Sequence, residues 1–285
     1  MEQVVATLFN VLILSSMYIL VALGFAFLFN MLGILNLAHG AVYMVGGYIG
    51  FALITSVGIN PWVSILIATL IMAAFGVFLE RFCFRPFTGD FNRIVMVGVG
   101  INVVLQTAVN AMLGTKMQAL PSLVDGYLRF GVVSVSYQRI SIFVIGAVLL
   151  VLVSWFVRKT KRGQQMQAIS QDIEGAALSG ISVHRVSALA CALGSGLAAL
   201  AGCLMGSYLM LSPYMGDLML IKALVLVILA GIGSIGGIFV TGLILGGLDA
   251  VAPVLFSGAV SDAIPYVVVV IVLLIRPRGF FGREG

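Results

Sequence analysis

Long apolar stretches alternate along the chain with short segments that carry most of its charged and turn-forming residues. A helix rises about 1.5 Å per residue, so roughly 20 residues cross a hydrocarbon core about 30 Å thick. The breaks at 31–36 and 231–237 are the weakest boundaries between stretches. We therefore expect an all-α polytopic transmembrane helix bundle of about nine spans, within a range of about eight to ten. The predicted spans are 8–30, 35–56, 62–80, 94–114, 140–157, 186–210, 218–235, 238–256 and 262–275.

The composition identifies lipid as the solvent around most of this chain. Hydrophobic residues make up 61% of the 285 residues and charged residues 9%, against about 45–50% and about 25% in soluble domains. This excludes a soluble enzyme, a secreted disulfide scaffold and a disordered chain, and predicts one transmembrane domain over 1–285. Cys83, Cys191 and Cys203 form no CxxC pair and are predicted to be apolar core residues without a disulfide or a metal.

The distribution of positive charge predicts the orientation. Under the nine-span count, eleven of the fifteen Lys and Arg residues share one side of the membrane, against Lys116, Arg129 and Arg139 on the other. The positive-inside rule places the eleven in the cytoplasm, so we expect the amino terminus outside and the carboxyl terminus inside. The eleven are Arg81, Arg85, Arg93, Arg158, Lys159, Lys161, Arg162, Arg185, Arg276, Arg278 and Arg283.

Two loops are long enough to meet other molecules. Residues 115–139 are predicted to lie outside, where they are available to an external partner. Residues 158–185 are predicted to lie in the cytoplasm and to form a short amphipathic helix that ends at Gly180. A polytopic protein rarely needs such a helix for its own fold, so it is a candidate docking surface. Its apolar positions are Met166, Ile169, Ile173, Ala176 and Ala177.

A stripe of polar residues lies on the fourth predicted span. Gly98, Asn102, Gln106 and Asn110 recur every four residues and therefore share one face of a helix. Interhelical hydrogen bonds, worth about 0.6 kcal/mol each, are one reason for such residues. A hydrophilic wall of a translocation path is the other, and both alternatives turn the stripe toward the bundle interior.

Other polar residues at membrane depth are candidates for the same path. Asn36 and His39 open the second span, although a histidine near a helix end is commonly a satisfied packing residue. Asp249 lies deep in the eighth span, where an ionised side chain costs about 2.5–3.5 kcal/mol. We expect it to face the interior, neutralised by protonation or by a cation such as Lys222. Lys222 lies near the start of its own span and can instead extend to the membrane surface.

No motif predicts catalysis or a cofactor on this chain. The segment Gly231–Gly236 has the letters of a dinucleotide fingerprint, but it joins two apolar helices instead of following a strand. It predicts a tight turn with close helix packing, helped by the glycines at 237, 242, 246 and 247. No lysine follows a glycine, so the chain lacks a phosphate-binding P-loop and any ATP hydrolysis belongs to a partner. His39 and His184 have no carboxylate at helical spacing, and we expect neither a catalytic nor a metal site.

Six motifs follow one another along the chain, namely Met17–Gly24, Ile34–Gly40, Tyr43–Tyr48, Ala168–Ile181, Gly194–Gly202 and Leu229–Gly237. In this order they resemble the motifs of the branched-chain amino acid ABC transporter permeases, and of the shorter, H-type member of their permease pairs in particular. Two departures are a glycine at 236, where the family commonly has proline, and Phe29-Asn30, where it has Phe-Gly. They indicate that the solute can differ from the usual one.

The resemblance implies a transport subunit of the bacterial inner membrane that imports an amino acid or another small polar solute by alternating access. Its partners would be a second, homologous permease, two cytoplasmic ATPase subunits that hold ATP and Mg²⁺, and an extracytoplasmic solute-binding protein. Relatives in the superfamily carry urea, short amides, aromatic acids or sugars. The residues implied to couple to the ATPases are Gln171, Asp172, Glu174, Gly175, Ala176 and Gly180.

Other function classes stay open at this point. An ion-coupled secondary transporter or a channel would act alone and would use Asp249, Lys222 or His39. A membrane scaffold without a path would tolerate leucine in the polar stripe of the fourth span. No part of the sequence indicates nucleic-acid binding.

Overall fold

A computed structural model describes residues 2–32, 35–130, 133–231, 234–276 and 279–281. The predicted positions Ile34, Gly233, Arg278 and Arg283 lie outside these ranges. Helices dominate the described chain, joined by one β-hairpin. The helices are α1 Glu2–Leu32, α2 His39–Thr55, α3 Pro61–Phe78, α4 Phe91–Leu113, α5 Tyr137–Lys159, α6 Lys161–Gln171, α7 Ile173–Leu178, α8 Val183–Tyr208, α9 Met215–Ala230, α10 Ile235–Leu255 and α11 Ala259–Ile275.

A helix lies on each of the nine predicted apolar stretches. Six of these helices are long and apolar enough to cross a membrane, which supports a multi-pass α-helical membrane protein. The remaining three, α2, α9 and α11, are shorter, with 17, 16 and 17 residues. The six longer segments are Val4–Phe29, Pro61–Phe87, Phe91–Leu113, Tyr137–Lys159, Val183–Tyr208 and Gly236–Leu255.

The third span runs further than the sequence predicts. Helical structure continues past α3 as a π-helix over Leu79–Phe84 and a 3-10 turn over Arg85–Phe87. The buried Glu80 carboxylate accepts a bond of 2.6 Å from the Arg85 guanidinium, so these charges are paired within the helical segment. The expected loop starting at Arg81 is therefore wrong at its first residues, because opposite charges five residues apart satisfy each other there.

The expected all-α fold omits a β-hairpin in the loop over 115–139. Strands β1 (Tyr127–Phe130) and β2 (Val133–Ser136) pair antiparallel, with Tyr127 opposite Ser136. The Tyr137 amide donates to the Gly126 carbonyl at 3.0 Å and closes the open end of the hairpin. Alternation of apolar and polar residues over β2 is the sequence signal for this strand, and span counting passes over it because it is only four residues long.

The chain divides into two compact units. Unit 1 comprises Met1–Ala22, Val124–Val151 and Lys222–Gly285, and unit 2 comprises Leu23–Leu123 and Leu152–Ile221.

Small residues allow close helix packing inside each unit. In unit 2, a Cβ atom on Gly24 would lie 2.8 Å from the Gly194 carbonyl oxygen, so these two backbones touch. In unit 1, a Cβ on Gly146 would lie 2.8 Å from the Ser16 side chain, and one on Gly237 would lie 2.6 Å from the Ala230 carbonyl. This is the packing typical of helices in lipid, where burial in hydrocarbon gives no preference for a neighbouring helix and close contact must supply it.

The glycine-rich segment around 236 was predicted to form a tight turn with close helix packing, and most but not all of its glycines do so. Gly231 has a φ of 87°, a left-handed conformation that favours glycine and ends α9. Gly237, Gly242 and Gly246 lie against neighbouring atoms, whereas an added Cβ at Gly236 meets nothing within 4 Å. Cys191 and Cys203 are buried as predicted, whereas Cys83 is only partly buried.

Candidate functional site

Two residues of the predicted stripe meet a carboxylate that sequence analysis missed. The Asn102 side-chain amide donates to Asp217 Oδ1 at 3.2 Å, and the Gln106 amide donates to Asp217 Oδ2 at 2.8 Å. Gln106 also donates to the Pro213 carbonyl at 3.3 Å. Asn102 and Gln106 lie one turn apart on α4, and Asp217 lies in the first turn of α9. These three residues, all in unit 2, form what we call the Asp217 cluster.

Among the described residues, no cation balances the charge of the Asp217 cluster, because no Lys, Arg or His nitrogen lies within 4.0 Å of the Asp217 carboxylate. Hydrogen bonds to a charged group are worth about 1.5–3 kcal/mol each, so the two amides hold the carboxylate in place. All three side chains are only partly buried. The cluster is therefore a negatively charged polar site held by neutral groups.

The other members of the stripe lie outside this cluster. A Cβ on Gly98 would lie 3.0 Å from the Leu37 backbone nitrogen, so Gly98 allows the segment before α2 to approach α4. Asn110 lies at the last turn of α4, where its backbone carbonyl accepts from Gly114 at 2.9 Å. Spacing alone placed all four residues on one face, but only the middle two reach Asp217.

Asn36 and His39 are buried at the start of α2 in unit 2. Asn36 Oδ1 accepts a bond of 3.0 Å from the Ala38 amide, which is a local turn typical of asparagine ahead of a helix. The His39 ring is fully buried and meets the Phe25 ring edge-on at 5.8 Å. Both residues have the surroundings of packing residues, which is the alternative that the sequence left open for His39.

An ion pair lies within unit 1. Lys222 Nζ binds Asp249 Oδ2, the Tyr18 hydroxyl donates to the same oxygen at 2.6 Å, and Lys222 Nζ donates to the Tyr18 hydroxyl at 2.7 Å. The ammonium also lies 4.6 Å from the centre of the Tyr18 ring, a cation–π contact. Lys222 was the cation expected for Asp249, and that prediction is confirmed. Extension of Lys222 to the membrane surface is wrong, because the exposed fractions of the Lys222 and Asp249 side chains are 19% and 12%.

The segment 158–185 contains two helices instead of the single one predicted. Asp172 ends α6 and begins α7, where its Oδ1 accepts from the Gly175 amide at 3.0 Å. An aspartate that caps a new helix N-terminus interrupts the old helix, and the hydrophobic spacing alone gave no sign of it. Gly180, with a φ of 81°, ends α7 as predicted.

The apolar residues of α6 and α7 do not form the single amphipathic face that was predicted, because some are buried and others are exposed. Met166, Ile169 and Ala176, which were predicted to lie on a docking surface, are instead buried within this chain. Ile173 is 44% exposed and Leu178 is 90% exposed, so α7 presents apolar side chains to its surroundings. The polar side chains of Gln171, Asp172 and Glu174 are exposed beside them, and Gly175 is half-buried.

Comparison with known proteins identifies the family. A family model described as "Branched-chain amino acid transport system / permease component" matches residues 7–273. The chain is 34% identical over 292 residues to the high-affinity branched-chain amino acid transport system permease protein BraD of Pseudomonas aeruginosa, covering 97% of this chain and 95% of that protein. It is 32% identical over 291 residues to the corresponding LivH of Escherichia coli, covering 97% and 94%.

A more distant relative carries a different name. The fructose import permease protein FruF of Bifidobacterium longum is 26% identical over 235 residues, covering 79% of this chain and 62% of that protein. The match of the family model over 7–273, together with two relatives above 30% identity along nearly the whole chain, decides the assignment. This chain belongs to the family of permease components of branched-chain amino acid transport systems.

Proposed function

We propose that this chain is the permease subunit of an ABC importer that moves an amino acid, most simply a branched-chain one, inward across the bacterial inner membrane. The observation that carries the proposal is the match over 97% of the chain to relatives named as high-affinity branched-chain amino acid permeases. The absence of a P-loop from the sequence agrees with a subunit that leaves ATP hydrolysis to partners. Two cytoplasmic ATPases bind ATP and Mg²⁺, and the chain itself needs no cofactor.

The proposed topology has nine crossings. The short helices α2, α9 and α11 span about 24–26 Å at about 1.5 Å per residue, which a locally thinned bilayer or unwound ends can accommodate. Nine crossings put the amino terminus outside and the carboxyl terminus, with α6 and α7, in the cytoplasm. A green fluorescent protein fused to the carboxyl terminus should fluoresce, since it matures only in the cytoplasm under Sec export. A dark fusion at normal expression would contradict this orientation.

Helix α7 is the proposed contact for the ATPases. Leu178 and Ile173 are exposed apolar residues on a short helix whose start is fixed by the Asp172 cap. Gln171 and Glu174 add polar groups at the same end, and Gly180 ends the helix. Movement of this segment by the ATPases would bias the permease between outward-open and inward-open states, a two-state change driven by nucleotide.

The other proposed partners lie on the opposite side and within the membrane. The loop over 115–139, with its β-hairpin, is available to an extracytoplasmic solute-binding protein. A second permease, homologous to this chain, would complete the path. Of the path residues predicted from sequence, Asn102 and Gln106 keep that role in our proposal, whereas Asn36 and His39 have packing contacts and Asp249 has an ion pair. Asn110 stays a candidate at the end of α4.

Purification of the native complex through a tag on this chain tests the proposal. We expect ATPase subunits and a second permease to copurify, and proteoliposomes of the complex to take up radiolabelled L-leucine only with ATP and the solute-binding protein. A partner ATPase with its P-loop lysine replaced is the matched control. Uptake by this chain alone without ATP would favour an ion-coupled secondary transporter and overturn the proposal.

A variant of α7 tests the coupling. Joint replacement of Gln171, Asp172 and Glu174 by alanine should lower uptake per ATP hydrolysed while the complex still assembles. Because Asp172 also caps α7, Asp172→Asn in the wild-type background is the control, since asparagine is an equally good cap. Unchanged uptake in the triple variant would contradict a coupling role for this segment.

A further inference from the structure

We propose that the Asp217 cluster binds the ammonium group of the transported amino acid. This inference rests on the proposed function and adds to it the residues that hold the amine of the solute. Three features of the cluster support the inference: its unpaired hydrogen-bonding atoms, its charge and the apolar region beside it.

The unpaired hydrogen-bonding atoms of the cluster are mostly acceptors. Both hydrogens of the Gln106 amide are engaged, by Asp217 and by the Pro213 carbonyl, and Asn102 gives one hydrogen to Asp217. The two amide oxygens and the remaining lone pairs of the carboxylate have no donor within the cluster, and one Asn102 hydrogen is the only donor left in it. A primary ammonium has three donors and no acceptor, so its chemistry is complementary to this set.

The charge of the cluster favours a cation over a neutral or anionic solute. The Asp217 carboxylate lies beside neutral amides, and a carboxylate attracts an ammonium more strongly at a partly buried position than in bulk water. The same carboxylate repels the carboxyl group of an amino acid, so the solute would be oriented with its ammonium toward Asp217. Urea and sugars gain nothing from the charge, and a carboxylic acid without an amine is excluded by it.

An apolar region borders the cluster within unit 2. Leu105 is the chain neighbour of Gln106, and Met215 lies two residues before Asp217. Both pack against the buried apolar cluster of Ala41, Met44, Tyr48, Leu120 and Leu211. An amino acid with an aliphatic side chain has the same division, a charged amine joined to a hydrocarbon group. The cluster and its border therefore match that class better than they match a small polar amide.

Substitution of Asp217 tests the inference in the reconstituted complex. Asp217→Asn keeps the shape and an acceptor but removes the charge, and we expect ATP-driven leucine uptake to fall about tenfold or more while the complex assembles and hydrolyses ATP. Asp262→Asn is the matched control, because Asp262 is an exposed aspartate in the first turn of α11 in unit 1. Full uptake by Asp217→Asn would overturn the inference and leave the proposed function intact.

A second measurement on the wild-type complex keeps the inference testable if the variant fails to assemble. A water-soluble carbodiimide modifies accessible carboxyl groups, and peptide mass spectrometry quantifies labelling of Asp217. Leucinol, which has the ammonium but no carboxylate, should slow this labelling severalfold, and 4-methylpentanoate, which has the carboxylate but no ammonium, should not. Equal rates with both compounds would overturn the inference. If the wild type shows ATP-dependent uptake of no amino acid while leucinol still protects Asp217, the proposed function fails and the ammonium site stands.

Discussion

Asp249 in unit 1 and Asp217 in unit 2 both lie on apolar helices, and these two carboxylates are stabilised in different ways. In unit 1, Asp249 is neutralised by Lys222 and by the Tyr18 hydroxyl. In unit 2, the Asp217 carboxylate accepts hydrogen bonds from the neutral side-chain amides of Asn102 and Gln106. In unit 1 the charged and polar groups pair with one another, which suits a structural contact that holds helices together. The arrangement in unit 2 leaves charge and acceptor atoms available, which is what a binding site requires.

The largest effect should follow from separating the unit 1 pair. Lys222→Met leaves the Asp249 charge without its cation, and we expect a loss of about 3–5 kcal/mol in the free energy of unfolding. The double variant Lys222→Met with Asp249→Leu should recover most of it, because two apolar residues need no partner. Fluorescence-detected size-exclusion thermostability in detergent measures both. Equal stability of the single and double variants would contradict the conclusion that Lys222 stabilises unit 1 by neutralising Asp249.

A smaller effect should follow from removing the Tyr18 hydroxyl. Tyr18→Phe removes the donor to Asp249 and the acceptor for Lys222 but leaves the ion pair and the ring contact, so we expect a loss of about 1–3 kcal/mol. The same thermostability assay applies, with Tyr127→Phe as the control, because Tyr127 is an exposed tyrosine of β1 in the same unit. A loss as large as that of Lys222→Met would mean that the Tyr18 hydroxyl stabilises Asp249 as much as the Lys222 ammonium does.

The smallest effect on stability should come from unit 2. Asp217→Asn removes no ion pair, and the new amide oxygen still accepts one amide. Because the side chains are only partly buried, water can replace the second hydrogen bond, so we expect a change of about 1 kcal/mol. Transport should nevertheless fall, as argued above for the ammonium. A stability loss comparable to that of Lys222→Met would show that Asp217 is a structural carboxylate too, and the difference between the two units would disappear.

Hydropathy predicts the helices of this chain because length and apolar content are local properties. Each of the nine stretches contains a helix for that reason. Local chemistry that hydropathy ignores accounts for the departures, since the Asp172 cap divides the cytoplasmic helix and the Glu80–Arg85 pair extends the third span. Both features are readable in sequence once a cap or an i,i+5 charge pair is considered.

Sequence analysis found Asn102 and Gln106 of the Asp217 cluster but missed Asp217 itself. Asp249 was noticed because it lies deep in a span, and Lys222 was named as one cation that could neutralise it. Asp217 was missed because it lies one residue before the predicted span 218–235, where an acidic residue needs no explanation. Its contact with Gln106 joins residues 111 apart in sequence, and a single sequence contains no local signal for such a pairing.

The glycine contacts of unit 2 bear on which parts of a transporter can move. Gly24 meets Gly194 backbone to backbone, Gly46 lies against Ala199, and Gly202 lies against the Tyr43 carbonyl. Helices in such contact have no layer of side chains between them that could change rotamer to absorb sliding or rolling. Helices α2 and α8 should therefore travel through a transport cycle as one solid piece. Cysteine pairs placed on α2 and α8 beside this contact should therefore crosslink equally with and without ATP. The movement of other helices can then be measured relative to this fixed pair.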